Sequence, residues 1–191
     1  MQNTVYQVIK QAIKQRRAIF PPSYIKKEIP KTLLVELLEC ANTAPTHKLT
    51  QPWRFIIFRE NGREKLADQL AEQYKTHTSP EQFLQKKYEN TREKVLQSGA
   101  VIAIVVSYSG SLPQWEELAA TACAVQNLWL AASAAGIGGY WSSPGTVKYM
   151  GDFLSLAANE ECLGFFYMGF HDESAREATR KPVLEKIQWE E

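Results

Sequence analysis

The stretch from Glu116 to Ser143, EELAATACAVQNLWLAASAAGIGGYWSS, constrains the fold more than any other. It predicts one long helix that stops at Gly136 and passes through a glycine turn into Tyr140-Trp141-Ser142-Ser143. The first twenty residues of such a helix span about 30 Å at 1.5 Å per residue. Alanine, leucine, cysteine and valine occupy nearly every side, so burial almost all round is expected. Length alone would permit a membrane span, but Glu116, Glu117, Gln126 and Asn127 argue against one. The stretch reads as a central core helix whose glycine-rich exit sets Trp141 and two serines beside another part of the molecule.

A chain of 191 residues suffices for one domain with a substantial core, expected over 1–191 with residues from about 172 onward as an extension. A net charge of +1 gives no indication of nucleic acid or of a membrane surface as partner. Three cysteines, Cys40, Cys123 and Cys162, lie in apolar surroundings, which suits buried thiols in a reducing cytoplasm. The opening MQNTVYQVIKQAIKQRRAIF lacks a continuous apolar core and a cleavage site, so it does not read as a signal peptide; its basic residues give it a weak likeness to a transit peptide.

Val5, Ile9, Ala12 and Ile13 recur at helical spacing and predict an amphipathic helix ending near Arg16-Arg17. Pro30-Lys31-Thr32 opens a second helix that ends at Thr43-Ala44-Pro45, before a strand over Arg54–Phe58. Asn61-Gly62 reads as a turn, followed by helices over Arg63–Tyr74 and Pro80–Gln97, the latter capped by Ser79. Ala100–Tyr108 is a continuous β-branched run, the pattern of a strand buried on both faces. A shorter helix over about Val147–Ala158, an interior strand over Gly164–Gly169 and a polar tail complete the chain. The class is α+β, with α/β-like alternation, and a central mixed sheet flanked by helices.

Familiar catalytic patterns are missing. His47, His77 and His171 stand far apart and pair with no cysteine at metal-ligand spacing, so no metal site is expected. There is no phosphate-binding Walker loop and no nucleophile elbow. Gly136-Ile137-Gly138-Gly139 follows a helix instead of joining a strand to one, which is the wrong context for a dinucleotide fingerprint. A protein of this size without a nucleophile or metal of its own often takes its chemistry from a cofactor. Between Lys10 and Lys31 seven basic residues face Glu28 alone, either a solvated face or an anion site.

Arg16-Arg17-Ala18-Ile19 and Ala44-Pro45-Thr46-His47-Lys48-Leu49-Thr50-Gln51-Pro52-Trp53 decide between those readings. Together they resemble the flavin-dependent nitroreductase family, which opens with an Arg-Arg-Ser-type motif and places Ala-Pro-Ser-x-x-Asn-x-Gln-Pro-Trp before its first strand. The resemblance continues through GIGGYWSS, GFFYMG and the closing Arg-Lys-Pro-x-Leu, in order over essentially the whole chain. It is nearest to the compact subgroup of minimal nitroreductases, which lack large insertions.

This resemblance implies the nitroreductase fold, an intertwined homodimer, and one FMN in each of two clefts between subunits. Arg16 would meet the FMN phosphate, Arg17 and Ala18 the ribityl chain and flavin edge, and Arg180 the phosphate again. Trp141, Ser142 and Ser143 would flank the cofactor from the same subunit. Thr43, Pro45, Thr46, His47 and Gln51 would reach it from the other. The tail from about 172 would embrace the partner. The implied activity is that of an NADH- or NADPH-dependent oxidoreductase reducing small electron-poor acceptors, such as nitroaromatics or quinones, in ping-pong fashion. It requires no catalytic side chain. Ala18 and Thr46 replace family serines, and Leu49 replaces an asparagine that contacts the flavin in many members; His47 is the candidate substitute. Leu49 and the Ala71–Gln97 segment leave a second function open, a flavin-binding sensor or carrier without turnover.

Overall fold

The structure, a computed structural model, describes residues 4–191. Its centre is β2 (Ala100–Ser107), buried over all but its last residue. β2 pairs antiparallel with β1 (Trp53–Phe58) on one side and with β4 (Glu160–Phe170) on the other. β3 (Ile137–Ser142) adds to the outer side of β4, giving the order β1-β2-β4-β3. All pairings of named strands are antiparallel; the parallel component of the sheet is one bridge, Ala18 to Gly139, on the outer edge of β3.

Helices cover both faces. On one, α2 (Lys31–Asn42) and α5 (Gln114–Ala134) bring Leu34, Leu37 and Leu128 against Ile102, Ile104 and Phe166. On the other, α3 (Asn61–Thr76) and α4 (Gln85–Gln97) bring Leu66, Leu70 and Val95 against Val101, Phe165 and Tyr167. α1 (Thr4–Gln15) precedes this body and α6 (Gly151–Leu154) lies between β3 and β4. Among the described residues no helix is long and apolar enough to cross a membrane.

Several expectations are corrected. GIGGYW is an edge strand instead of a turn. Gly136, at φ +72, ends α5 as its sequence predicts, but Gly138 and Gly139 serve close packing. A Cβ on Gly138 would lie 2.6 Å from Ile19 Cβ, and one on Gly139 2.6 Å from Phe166 Cζ. Asn61 and Gly62 form the first turn of α3, and the reversal falls on Glu60 at φ 48. α4 begins at Gln85, not Pro80: residues 80–83 fold back on the Ser79 carbonyl, and the Tyr74 hydroxyl accepts the Leu84 amide at 3.0 Å. The helix expected over Val147–Ala158 breaks into a 3-10 turn at Val147–Tyr149 and the short α6, stopped by Ser155 at φ 50.

Two corrections concern surface. Cys162 is buried, but Cys40 and Cys123 are exposed. α5 is not enclosed within the chain, since Trp115, Leu118, Cys123 and Gln126 lie at the surface. α1 buries no residue at all, leaving Tyr6, Val8, Ile9 and Ile13 more than half exposed. Val183, Leu184, Ile187 and Trp189 of the tail are exposed as well.

Candidate functional site

The glycines of β3 bring the first group of expected site residues together. Because Gly138 has no side chain, Ile19 packs directly on the strand, and its amide donates to the Gly139 carbonyl at 3.2 Å. That contact fixes Arg16, Arg17 and Ala18 on the free edge of β3, just beyond the end of α1. The Arg16 guanidinium lies over the Trp129 ring of α5, 4.2 Å from its centroid. Arg17 Nη1 donates to the carbonyls of Lys14 at 2.6 Å and Arg16 at 2.8 Å. The tail crosses here: Arg176 Nη2 donates to the Ala18 carbonyl at 2.8 Å, and Arg180 comes close enough to repel Arg16.

The electrostatics of this cluster are one-sided. Burial, then Arg17, then Arg180 push the Arg16 guanidinium below the usual arginine range. Arg16 Nη1 and Arg17 Nε are buried donors without a hydrogen-bond partner among the described residues. A buried charged donor left unpaired costs a few kcal/mol, on the order of 1–3 or more. An anion with several acceptor oxygens would satisfy both donors and offset the repulsion. These orphaned donors are the observation that sets the segment apart from a solvated basic face.

Further along the same edge, Ser142 ends β3 and lines a cleft of about 580 Å³ with Thr91, Lys87, Lys94, Lys148 and Tyr167. Gly139, beside the arginines, and Ser142, in the cleft, are three residues apart, about 10 Å along a strand. Ser143 is exposed next to it. Trp141 points to the opposite face and packs against the core; its indole N–H donates to the Leu163 carbonyl at 3.0 Å. A second cleft of about 540 Å³ under Tyr24 carries both signs of charge, Lys26, Lys27 and Arg63 with Glu28 and Glu93. It contains none of the expected residues.

The second group stands elsewhere. Thr43, Pro45, Thr46, His47 and Gln51 form the loop between α2 and β1, all exposed except the half-buried Thr46. Lys48, Leu49 and Gln51 adopt φ values of 50, 55 and 43, sparsely populated for residues with side chains. Thr46 Oγ1 braces the turn, accepting the Gln51 amide at 3.1 Å and meeting Thr50 Oγ1 at 3.2 Å. Strained loops of this kind concentrate at ligand sites. His47 Nδ1 donates to the Glu116 carboxylate at 2.6 Å, at the first turn of α5.

The single chain therefore does not unite the two groups. His47 is tied to Glu116 and Arg16 to Trp129, thirteen residues apart on one helix, about 20 Å. Sequence reasoning missed two parts of the arrangement. Lys87 and Lys94 sit in a charged helix where nothing in the pattern separates them from solvated lysines, and Glu116 gains its meaning only from the fold.

A sheet of this order, wrapped by helices on both faces with an arginine-lined edge strand, is that of the nitroreductase fold, and the nitroreductase family profile matches residues 13–180; the chain belongs to that family of oxidoreductases. Among its relatives, YfhC of Bacillus subtilis, provisionally named an NAD(P)H nitroreductase, is 27% identical over 188 residues, covering 95% of this chain and 94% of the relative. A nitroreductase-like protein of Bacillus cereus superposes with a TM-score of 0.84 at 29% identity, over 96% of each chain. The FMN-dependent nitroreductase NfnB of Mycobacterium smegmatis, solved with NADPH, shares the fold at a TM-score of 0.79 and 17% identity, over 98% of this chain and all (100%) of that one.

Proposed function

We propose that this protein is an FMN-dependent NAD(P)H oxidoreductase that reduces small electron-poor acceptors such as nitroaromatics or quinones. The carrying observation is the pair of orphaned buried donors on Arg16 and Arg17 beside Arg180. They suit a phosphate group better than any single carboxylate. The Ser142 cleft, on the α3–α4 face, has room for a planar ring, and a ribityl chain would round the free edge of β3 to join it to the arginines on the α5 face, about 10 Å away along the strand.

Within this reading Arg16, Arg17 and Arg180 hold the phosphate, and Ala18 leaves the backbone open to the ribityl chain. Ser142 and Ser143 orient the ring edge; Trp141 supports them from behind. Lys87, Lys94 and Lys148 supply a positive field around the ring, which stabilises negative charge developing there on reduction. When bound, FMN supplies hydride acceptance from a nicotinamide and return of the electron pair to the acceptor. The loop residues Thr43, Pro45, Thr46, His47 and Gln51 close the same site from a second copy of the chain, so the working unit is a homodimer. The exposed apolar side chains of α1 and α5 favour this arrangement, because a monomer rarely leaves so much apolar surface contiguous with its site.

Two measurements test the proposal. The purified protein should show flavin absorbance near roughly 370 and 450 nm. Initial rates of NAD(P)H oxidation at several acceptor concentrations should give parallel double-reciprocal lines, because donor and acceptor use one face in turn. Intersecting lines would require a separate nicotinamide site. Flavin without turnover would instead favour the carrier.

A further inference from the structure

His47 and Glu116 form the closest-set acid and imidazole pair at the site, and lining the cofactor does not account for the carboxylate on His47 Nδ1. Glu116 stands in the first turn of α5, where the helix dipole favours a carboxylate. Its neighbour Glu117, fully buried, accepts the Ser109 amide at 3.1 Å and fixes that end of the helix. Glu116 is thus anchored on a rigid element, and it reaches Nδ1 of a histidine presented by a braced, strained turn. The other ring nitrogen, Nε2, makes no hydrogen bond among the described residues, and the imidazole is 56% exposed. Leu49, 81% exposed on the same turn, and Trp115, 68% exposed and next to Glu116 in the chain, add apolar surface to the two segments that carry the pair.

An ionised carboxylate can only accept, so Nδ1 carries a proton in this pair. Nε2 is then an acceptor in the neutral ring and a donor in the protonated one. Resting on the function proposed above, we infer that His47 is the proton donor to the acceptor substrate and that Glu116 is its positioning residue. In that step the acceptor, a quinone for instance, receives a hydride that originates in NAD(P)H, so that one equivalent of hydrogen arrives with the electron pair and one carbonyl oxygen becomes anionic. The Nε2–H bond breaks as the O–H bond forms, yielding the hydroquinone. The ring is left neutral with Nδ1–H still on Glu116, and water returns the proton. The specificity that follows is for planar oxygen-bearing acceptors that need a proton with their electrons, stacked against Leu49 and Trp115.

The test compares a quinone with ferricyanide, which takes electrons without a proton. With each variant loaded with flavin and rates taken per bound flavin, Glu116→Gln should lower the ratio of quinone to ferricyanide kcat by about tenfold and His47→Gln should lower that ratio by more, whatever either change does to flavin retention. Glu116→Asp should restore part of the quinone rate. Equal losses with both acceptors would make the pair merely structural and overturn the inference. So would an unchanged quinone rate. If wild-type protein oxidised NAD(P)H with neither acceptor, the function proposed above would fail instead. Independently of turnover, nitrogen NMR of the histidine rings should show His47 with its proton on Nδ1, a preference that Glu116→Gln removes. A neutral ring whose single proton sits on Nε2 instead of Nδ1 in the wild type would contradict the assignment.

Discussion

Arg16 has an aromatic platform, two like-charged neighbours and, among the described residues, no acidic partner. Its cation–π contact with Trp129 holds the guanidinium in place, and its orphaned Nη1 marks where an acceptor oxygen belongs. Arg16→Ala should weaken FMN binding by about 1.5–3 kcal/mol, roughly ten- to a hundredfold in Kd, read by titrating FMN into apo-protein. Riboflavin, which lacks the phosphate, should be affected far less; equal losses would remove the phosphate contact. Arg54 is paired differently. It grips Glu160 through Nε and Nη2, both at 2.6 Å, joining β1 to the start of β4 across β2. The Arg54 hydrogen bond holds the Glu160 carboxyl below the usual carboxylate range. A carboxyl depressed on folding adds stability that is fully present above its unfolded value, about 4.3, and is lost as pH falls through its folded value. The stability difference between wild type and Glu160→Gln should therefore shrink on acidification below about pH 4; a constant difference would mean that the pair contributes nothing through ionisation. The arginine motif was legible in the sequence, since an adjacent pair after a helix is a local pattern. That Arg16 lacks a partner was not, because partners are set by tertiary packing.

At the scale of elements, β3 and α5 organise the site. Gly138 determines whether the Arg16–Ile19 segment reaches the strand, so Gly138→Ala should separate Ile19 from β3. The expected cost is about 1–3 kcal/mol from overpacking, measured by denaturant unfolding, with a matching fall in flavin retention. Unchanged stability and flavin content would show that the segment tolerates displacement. β2 and α5 were readable because a β-branched run and an alanine-rich stretch have no other low-energy outcome. β3 was not. Three glycines in four residues carry the local signature of a turn, and only Ile19, Phe166 and the open side of β4 explain an extended conformation. For a similar reason the first residues expected in α4 are not helical: Tyr74, ten residues upstream of Leu84, supplies the contact that delays the helix.

At the scale of the whole molecule, apolar side chains are exposed on three separate parts of the chain. α1, the outer face of α5 and the tail all leave large apolar groups in water, among them Ile9, Ile13, Leu118, Leu184 and Trp189. The predicted all-round burial of α5 fails within one chain and would be met by a second copy. Burying each such side chain contributes about 1.5–3 kcal/mol, enough to order a mostly charged tail against a preformed surface. Truncation after Ala178 removes Arg180 and the four tail anchors together. It should lower both the dimer fraction, by sedimentation, and the bound flavin, by absorbance; a full dimer with normal flavin would make the tail dispensable.

The central claim is that the cofactor site is completed only between two chains, because its halves sit at opposite ends of α5. Sedimentation with detection at roughly 450 nm, over a dilution series that spans dimer dissociation, tests it most directly. The account predicts that flavin absorbance travels with the dimer at one per chain and is released as the monomer appears. Flavin carried by the monomer with undiminished affinity would contradict it.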